Sequence, residues 1–84
     1  MQEEAIKSTI KRFILDEFLP GERPEALTDQ TPLVAEGVLD SLATLRLVSF
    51  LEKEFKIALA PHEVDAEYLN TLPSIAALVN SKLR

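Results

Sequence analysis

The chain contains no cysteine. Neither a disulfide nor a thiolate metal site can therefore support its fold, and nothing implies an oxidising compartment. Apolar packing must hold the structure together unaided. Long hydrophobic runs are missing too. Every apolar stretch meets a charge within a few residues, far short of the roughly 20 apolar residues that cross a bilayer. The start, Met1-Gln2-Glu3-Glu4, is acidic where a signal peptide is basic. The expectation is a cytoplasmic protein with no membrane span. Basic residues are in deficit, 9 Lys and Arg against 14 Asp and Glu for a formal charge of −5. Nucleic acid is thereby disfavoured as a partner, because neutralising phosphates takes clustered cations.

With only two glycines there is no glycine-rich phosphate loop, and with one histidine there is little from which to build a nucleophile and base. His62 follows Pro61 and reads as an exposed residue at the start of a short helix. Asp29, Glu36 and Asp40 have a spacing that matches no calcium loop. The chain is read as a non-enzyme without a metal site.

At 84 residues there is material for one core. Chains this short bury only about 60–65% of their unfolded surface, so residues 1–84 are read as a single domain. From Glu3 to about Leu19, Ile6, Ile10, Phe13, Ile14 and Phe18 fall on one stripe of a 3.6-residue helix, which Pro20-Gly21 ends. Residues 20–40 carry Pro24, Thr28, Asp29, Thr31-Pro32 and Gly37 and no sustained period. A connection of this length is unusual in a compact domain and usually functional. Leu27, Leu33, Val34, Val38 and Leu39 are available to pin it to the core.

A second helix fits Ser41 to Phe55. Leu47, Val48, Leu51 and Phe55 share its core face; Leu42 and Leu45 lie to one side, and Phe50, on the other, is expected against the loop. Ala60-Pro61 breaks the pattern, His62 to Glu67 allows a turn or two, and Asn70-Thr71 caps a last helix. That helix buries Ile75, Leu78, Val79 and Leu83 and places Lys82 and Arg84 near the negative end of its dipole. The fold class is all-α: a bundle of four helices with a long loop between the first two and a short third helix.

Charge is unevenly spread along this frame. Residues 20–40 hold Glu22, Glu25, Asp29, Glu36 and Asp40 against Arg23 alone, and residues 57–73 hold Glu63, Asp65 and Glu67 with no cation. The segment from Ser41 to Lys56 differs, with Arg46, Lys53 and Lys56 against Glu52 and Glu54.

Leu39-Asp40-Ser41-Leu42 is a helix start behind a long loop, with Asp40 the natural N-cap. Ser41 then occupies the first helical position with its hydroxyl toward solvent. A phosphodiester there would meet unpaired backbone N–H groups and the positive end of the dipole, worth about 0.3–1 kcal/mol to an anion. Alone, Asp-Ser is more often merely a cap.

The surroundings change that balance. Glu36-Gly37-Val38-Leu39-Asp40-Ser41-Leu42, followed by Leu47-Val48, Leu51-Glu52, Glu54-Phe55 and Ile57, resembles the attachment region of acyl and peptidyl carrier proteins. The order of helices through Asn70-Thr71-Leu72 and Ile75 to Val79 follows that family across essentially the whole chain. The resemblance implies a 4'-phosphopantetheine arm on Ser41, placed by a separate phosphopantetheinyl transferase, whose thiol holds the cargo as a thioester. It implies as further partners an acyl- or aminoacyl-loading ligase and downstream synthase or transferase enzymes. Asp40, Leu42, Leu45 and Arg46, around the serine, are the candidate docking residues, although Leu42 and Leu45 are equally placed to touch the loop. The small acidic surface gives no reason to expect more than a monomer.

In carriers of bacterial fatty-acid synthesis the residues two and five after the serine are commonly acidic; here they are Ala43 and Arg46. The resemblance therefore points to a specialised pathway. The run Gly37 to Leu42 and the Asn70-Thr71 cap also look like aminoacyl carriers, including D-alanyl carriers of cell-wall modification. A helical interaction domain that receives no prosthetic group is the alternative from another class.

Overall fold

The structure, a computed structural model, describes residues 2–83. Four α-helices occur in these residues, with no strand: α1 (Glu3–Phe18), α2 (Ser41–Phe55), the one-turn α3 (Ala66–Leu69) and α4 (Leu72–Lys82). Short 3-10 turns at Pro24–Ala26 and Pro61–Glu63 interrupt the connections.

Helix α1 turns Ile6, Ile10 and Ile14 inward, one residue per turn, and all three are fully buried. It packs chiefly along α4, whose Leu72, Ile75, Ala76, Leu78 and Val79 form the opposing face. Helix α2 adds Ala43, Leu47, Leu51 and Phe55 to the same cluster. Val48, expected on that face, is half-exposed at its margin. Phe50, expected against the loop, finds its aromatic partner on α1. Its ring stacks on Phe13 of α1, with centroids 4.0 Å apart and planes inclined by 13°. Phe18 meets the other side of Phe13 edge-on at 5.6 Å. Three aromatic rings thus fill the seam between α1 and α2, where smaller side chains would leave a gap.

Each helix end has a specific cause. Lys56 adopts the left-handed conformation at φ 56° after α2, and Ile57 N donates to Glu52 O at 3.3 Å. That closure satisfies a terminal carbonyl of the helix. The Glu52 side chain then accepts from Leu59 N at 2.9 Å, fixing the departing strand of chain. Thr71 caps α4 by accepting from Ser74 N, and Pro73 lies in the first turn, where its missing N–H costs nothing. Lys82 does not simply sit at the dipole end. It bonds Glu63 at 2.8 Å, and together with the Ala60 N–H this pair holds the Glu63 carboxyl below its ordinary range. Arg84 lies outside the described residues.

The loop from 19 to 40 is ordered by anchors spaced along its length. Leu27, Leu33 and Leu39 are buried in the common core, and Val34 and Val38 are half-buried against it. Lys7 of α1 reaches Asp29 at 2.8 Å, and its ammonium pKa is raised, first by that bond and then by the one to Glu4. Gly21 and Gly37 take left-handed φ values of 88° and 82° where the loop leaves α1 and where it turns toward α2.

The central position of Leu51 makes a direct test. It is fully buried among α1, α2 and α4 side chains. Truncating such a residue costs about 2–5 kcal/mol, a large part of a small domain's stability. Leu51→Ala should therefore lose its far-UV helical signal at a markedly lower temperature than the wild type. An unchanged melting curve would mean that α2 presents another face to the core.

Candidate functional site

The site is built where the loop becomes α2. Asp40 has extended backbone, φ −78° and ψ −175°, and so stands just outside the helix. Its carboxylate accepts from Ala43 N at 2.8 Å, and its carbonyl accepts from Thr44 N at 2.8 Å. Two of the first free amides of the helix are thereby satisfied. The amides of Ser41 and Leu42 have no partner among the described residues. Ser41 itself is exposed at the first helical position.

Exposure alone does not single Ser41 out, since Ser8, Ser49 and Ser81 are also exposed. Those three lie within or at the far end of helices, where backbone amides are already engaged. Only Ser41 combines an open hydroxyl with unengaged amides and the positive end of a long helix, the environment that suits a phosphodiester.

Two open grooves flank the serine. One, of about 410 Å³, runs between α2 and α3 past Val34, Leu39, Thr44, Leu45 and Leu69. The other, of about 550 Å³, lies toward the end of α1 past Phe18, Leu19, Val38, Leu42 and Arg46. Leu42 and Leu45 are 68% and 62% exposed, the large apolar side chains most open to solvent among the described residues. Each still borders loop residues, Leu42 beside Val38 and Leu45 beside Val34 and Leu39, so the contact with the loop weighed above stays open beside docking.

Arg46 is exposed one turn beyond Leu42, and its guanidinium lies 3.7 Å from Glu17 of α1. This pairing could not be read locally, because the two residues sit on different helices. Ala43 is only 7% exposed. It cannot present a charge to a partner, so of the two positions that differ from fatty-acid carriers only Arg46 faces outward. His62 is exposed in the Pro61–Glu63 turn. Asp29 is engaged by Lys7, and no metal-binding group of three or more His, Asp or Glu side chains occurs among the described residues.

Comparison with known proteins gives the geometry its context. The family model described as the phosphopantetheine attachment site matches residues 19–80. The chain belongs to this family of phosphopantetheine-bearing carrier proteins. It is 35% identical over 74 residues to the probable acyl carrier protein PigG of Serratia sp. (strain ATCC 39006), covering 88% of this chain and 84% of that protein. It is 46% identical over 50 residues to the D-alanyl carrier protein of Lactococcus lactis subsp. cremoris (strain MG1363), covering 60% and 63% respectively.

Among solved structures, KstB-PCP in its apo form superposes with a TM-score of 0.72 at 32% identity, covering 95% of this chain and 88% of that one. A chain in the crystal structure of an FAD-dependent dehydrogenase superposes with a TM-score of 0.76 at 30% identity, covering 83% of this chain and 97% of that one. Carrier domains of this family are not catalysts; they work with transferases and ligases. The all-helical fold expected from the pattern, and the carrier type implied by the resemblance, are the ones observed. No helix in the described residues is long and apolar enough to cross a membrane.

The role of Asp40 as a cap separates from its charge by substitution. Asp40→Ala removes the acceptor for Ala43 N and should cost about 1 kcal/mol, or about 4–8 °C in melting temperature for a domain of this size. Asp40→Asn keeps an acceptor and should melt within a degree or two of the wild type, to order of magnitude. Thermal melting of both variants checks this, and an equal fall in both would assign the effect to charge instead.

Proposed function

We propose that Ser41 bears the phosphopantetheine arm and that the chain holds acyl or aminoacyl intermediates on it as thioesters, presenting them to the enzymes of a specialised biosynthetic pathway. The observation that carries this reading is the serine's place: an exposed hydroxyl at the first position of α2, with Asp40 turned back as the cap. A transferase can reach the hydroxyl without unfolding anything. The phosphodiester it leaves would lie beside the unengaged amides of Ser41 and Leu42, and the arm supplies the thiol that this cysteine-free chain lacks.

Docking follows from the same end of α2. Leu42 and Leu45 offer exposed apolar contacts beside the serine, Asp40 and Arg46 offer opposite charges at its edges. Tethered cargo makes each encounter a recognition of this surface, and the flexible arm raises the local cargo concentration once the carrier is docked. A specialised pathway is favoured by Arg46, which stands where fatty-acid carriers commonly present an acid. An aminoacyl or D-alanyl cargo is the second reading, favoured by the identity shared with the lactococcal D-alanyl carrier.

Intact-mass spectrometry after co-expression with a broad-range phosphopantetheinyl transferase tests the attachment. The wild type should gain the mass of one arm, and Ser41→Ala should gain none while keeping its helical spectrum. Modification that persists in Ser41→Ala would refute the assignment, and an unmodified wild type would favour an interaction domain without a prosthetic group.

Partner choice has its own test. Bacterial fatty-acid elongation enzymes with basic docking patches should load this carrier poorly, because like charges across an interface slow association and suppress wrong partners. Arg46→Glu should raise the loading rate at low ionic strength, with the gain shrinking as salt rises over the range where the screening length falls below about 10 Å. Loss of the exposed Glu17 contact should matter little to stability, about 0–1 kcal/mol. Loading equal to that of a housekeeping carrier, with no response to Arg46→Glu, would remove charge on α2 as the discriminator.

A further inference from the structure

The turn formed by residues 32–37 is a single helical turn without an N-cap of its own. Glu36 N donates to Pro32 O at 2.8 Å and Gly37 N to Val34 O at 3.1 Å, so the backbone coils once before Gly37 breaks it. The amides at its start belong to Leu33, Val34 and Ala35. In an ordinary helix the preceding residue's side chain would take such amides. Here all three go to one residue far along the chain. Leu33 N donates to the Asn70 carbonyl at 2.6 Å, and Val34 N and Ala35 N donate to the Asn70 side-chain oxygen at 2.9 and 3.3 Å.

Asn70 is also the residue between the last two helices. Its own N–H donates to Ala66 O and closes α3, and Thr71 directly after it caps α4. On the loop side the bonds lead toward the serine. Leu39 N donates to Leu33 O at 3.0 Å, both leucines are buried, and the next residue is the Asp40 cap. The same contacts set one side of the groove beside Ser41, which is lined by Val34 and Leu39 from the loop and by Leu69 from α3.

We propose that Asn70 is a positioning residue for the attachment serine: it caps the 32–37 turn in trans and so ties the α3–α4 junction to the segment that presents Ser41. This rests on the reading of Ser41 as the attachment residue. Without the Asn70 oxygen two amides lose their acceptor, and water must enter the junction to replace it. The turn then opens locally while the core stays closed, because its Leu33 and Leu39 anchors belong to the main cluster. A transferase that needs one loop geometry at Ser41 meets that geometry less often.

The test compares Asn70→Ala with Asn70→Asp in the full chain, using apo protein, coenzyme A and a broad-range transferase. Aspartate keeps the oxygen acceptor and alanine removes it. In Asn70→Ala the Val34 and Ala35 amides should exchange about tenfold faster. The kcat/KM for arm transfer should fall about three- to tenfold at a temperature where its far-UV spectrum equals that of the wild type. Asn70→Asp should restore both. If Asn70→Ala is not folded at the assay temperature, Asn70→Gln replaces it, carrying the amide one methylene too far to reach both donors.

The proposal is overturned if transfer proceeds at the wild-type rate although the two amides exchange quickly, if their exchange does not change, or if aspartate fails to rescue. A wild type that accepts no arm, or a Ser41→Ala chain that still accepts one, overturns the attachment reading itself and this proposal with it. The two failures are therefore distinguishable.

Discussion

Everything the molecule offers at its surface depends on one constraint: the chain between α1 and α2 must be held still although it has almost no regular structure of its own. Ordering an irregular segment costs about 1–2 kcal/mol per residue in backbone entropy, with no helical ladder in return. Leu27, Leu33 and Leu39 offset that cost by burial, and the amides of the 32–37 turn are taken by Asn70. Once Leu39 is fixed, Asp40 can only stand at the mouth of α2, and the next residue must begin the helix. The place of Ser41 is thus decided by the loop as much as by the helix it opens.

A division of labour follows. The buried set is entirely apolar among the described residues, and no buried side-chain nitrogen or oxygen lacks a partner. The core carries no chemistry and can serve stability alone. The outward end of α2 carries the groups proposed for recognition: an open serine, two exposed leucines and a cation paired with the neighbouring helix. For a carrier the separation matters, because one unchanged fold must meet a succession of enzymes and recognition must reside on the surface.

The helical periodicity and the caps were legible in the residues because they are local. Ile6, Ile10 and Ile14 repeat at helical spacing, Asp40 announces α2, and Thr71 with Pro73 announces α4. The motif around Ser41 pointed to the carrier family for the same reason, as its residues are consecutive. What could not be read was pairing across the chain. Phe50 was free to pack on the loop until Phe13 of α1 was placed beneath it, and Arg46 had no partner until α1 brought Glu17 near. Ala43 was named only as the residue that stands where fatty-acid carriers commonly have an acid, and the rotation of α2, which buries it, was not legible. Asn70 announced only a cap for the helix after it, because its real ligands, three amides near residue 34, are remote in sequence.

The central claim is that the arm resides on the one serine whose amides are unengaged at a helix start. Fragment-ion mass spectrometry of the transferase-treated wild-type protein locates the phosphodiester residue by residue. The account predicts it wholly on Ser41; a modified Ser8, Ser49, Ser74 or Ser81, or a chain that carries no arm at all, would contradict it.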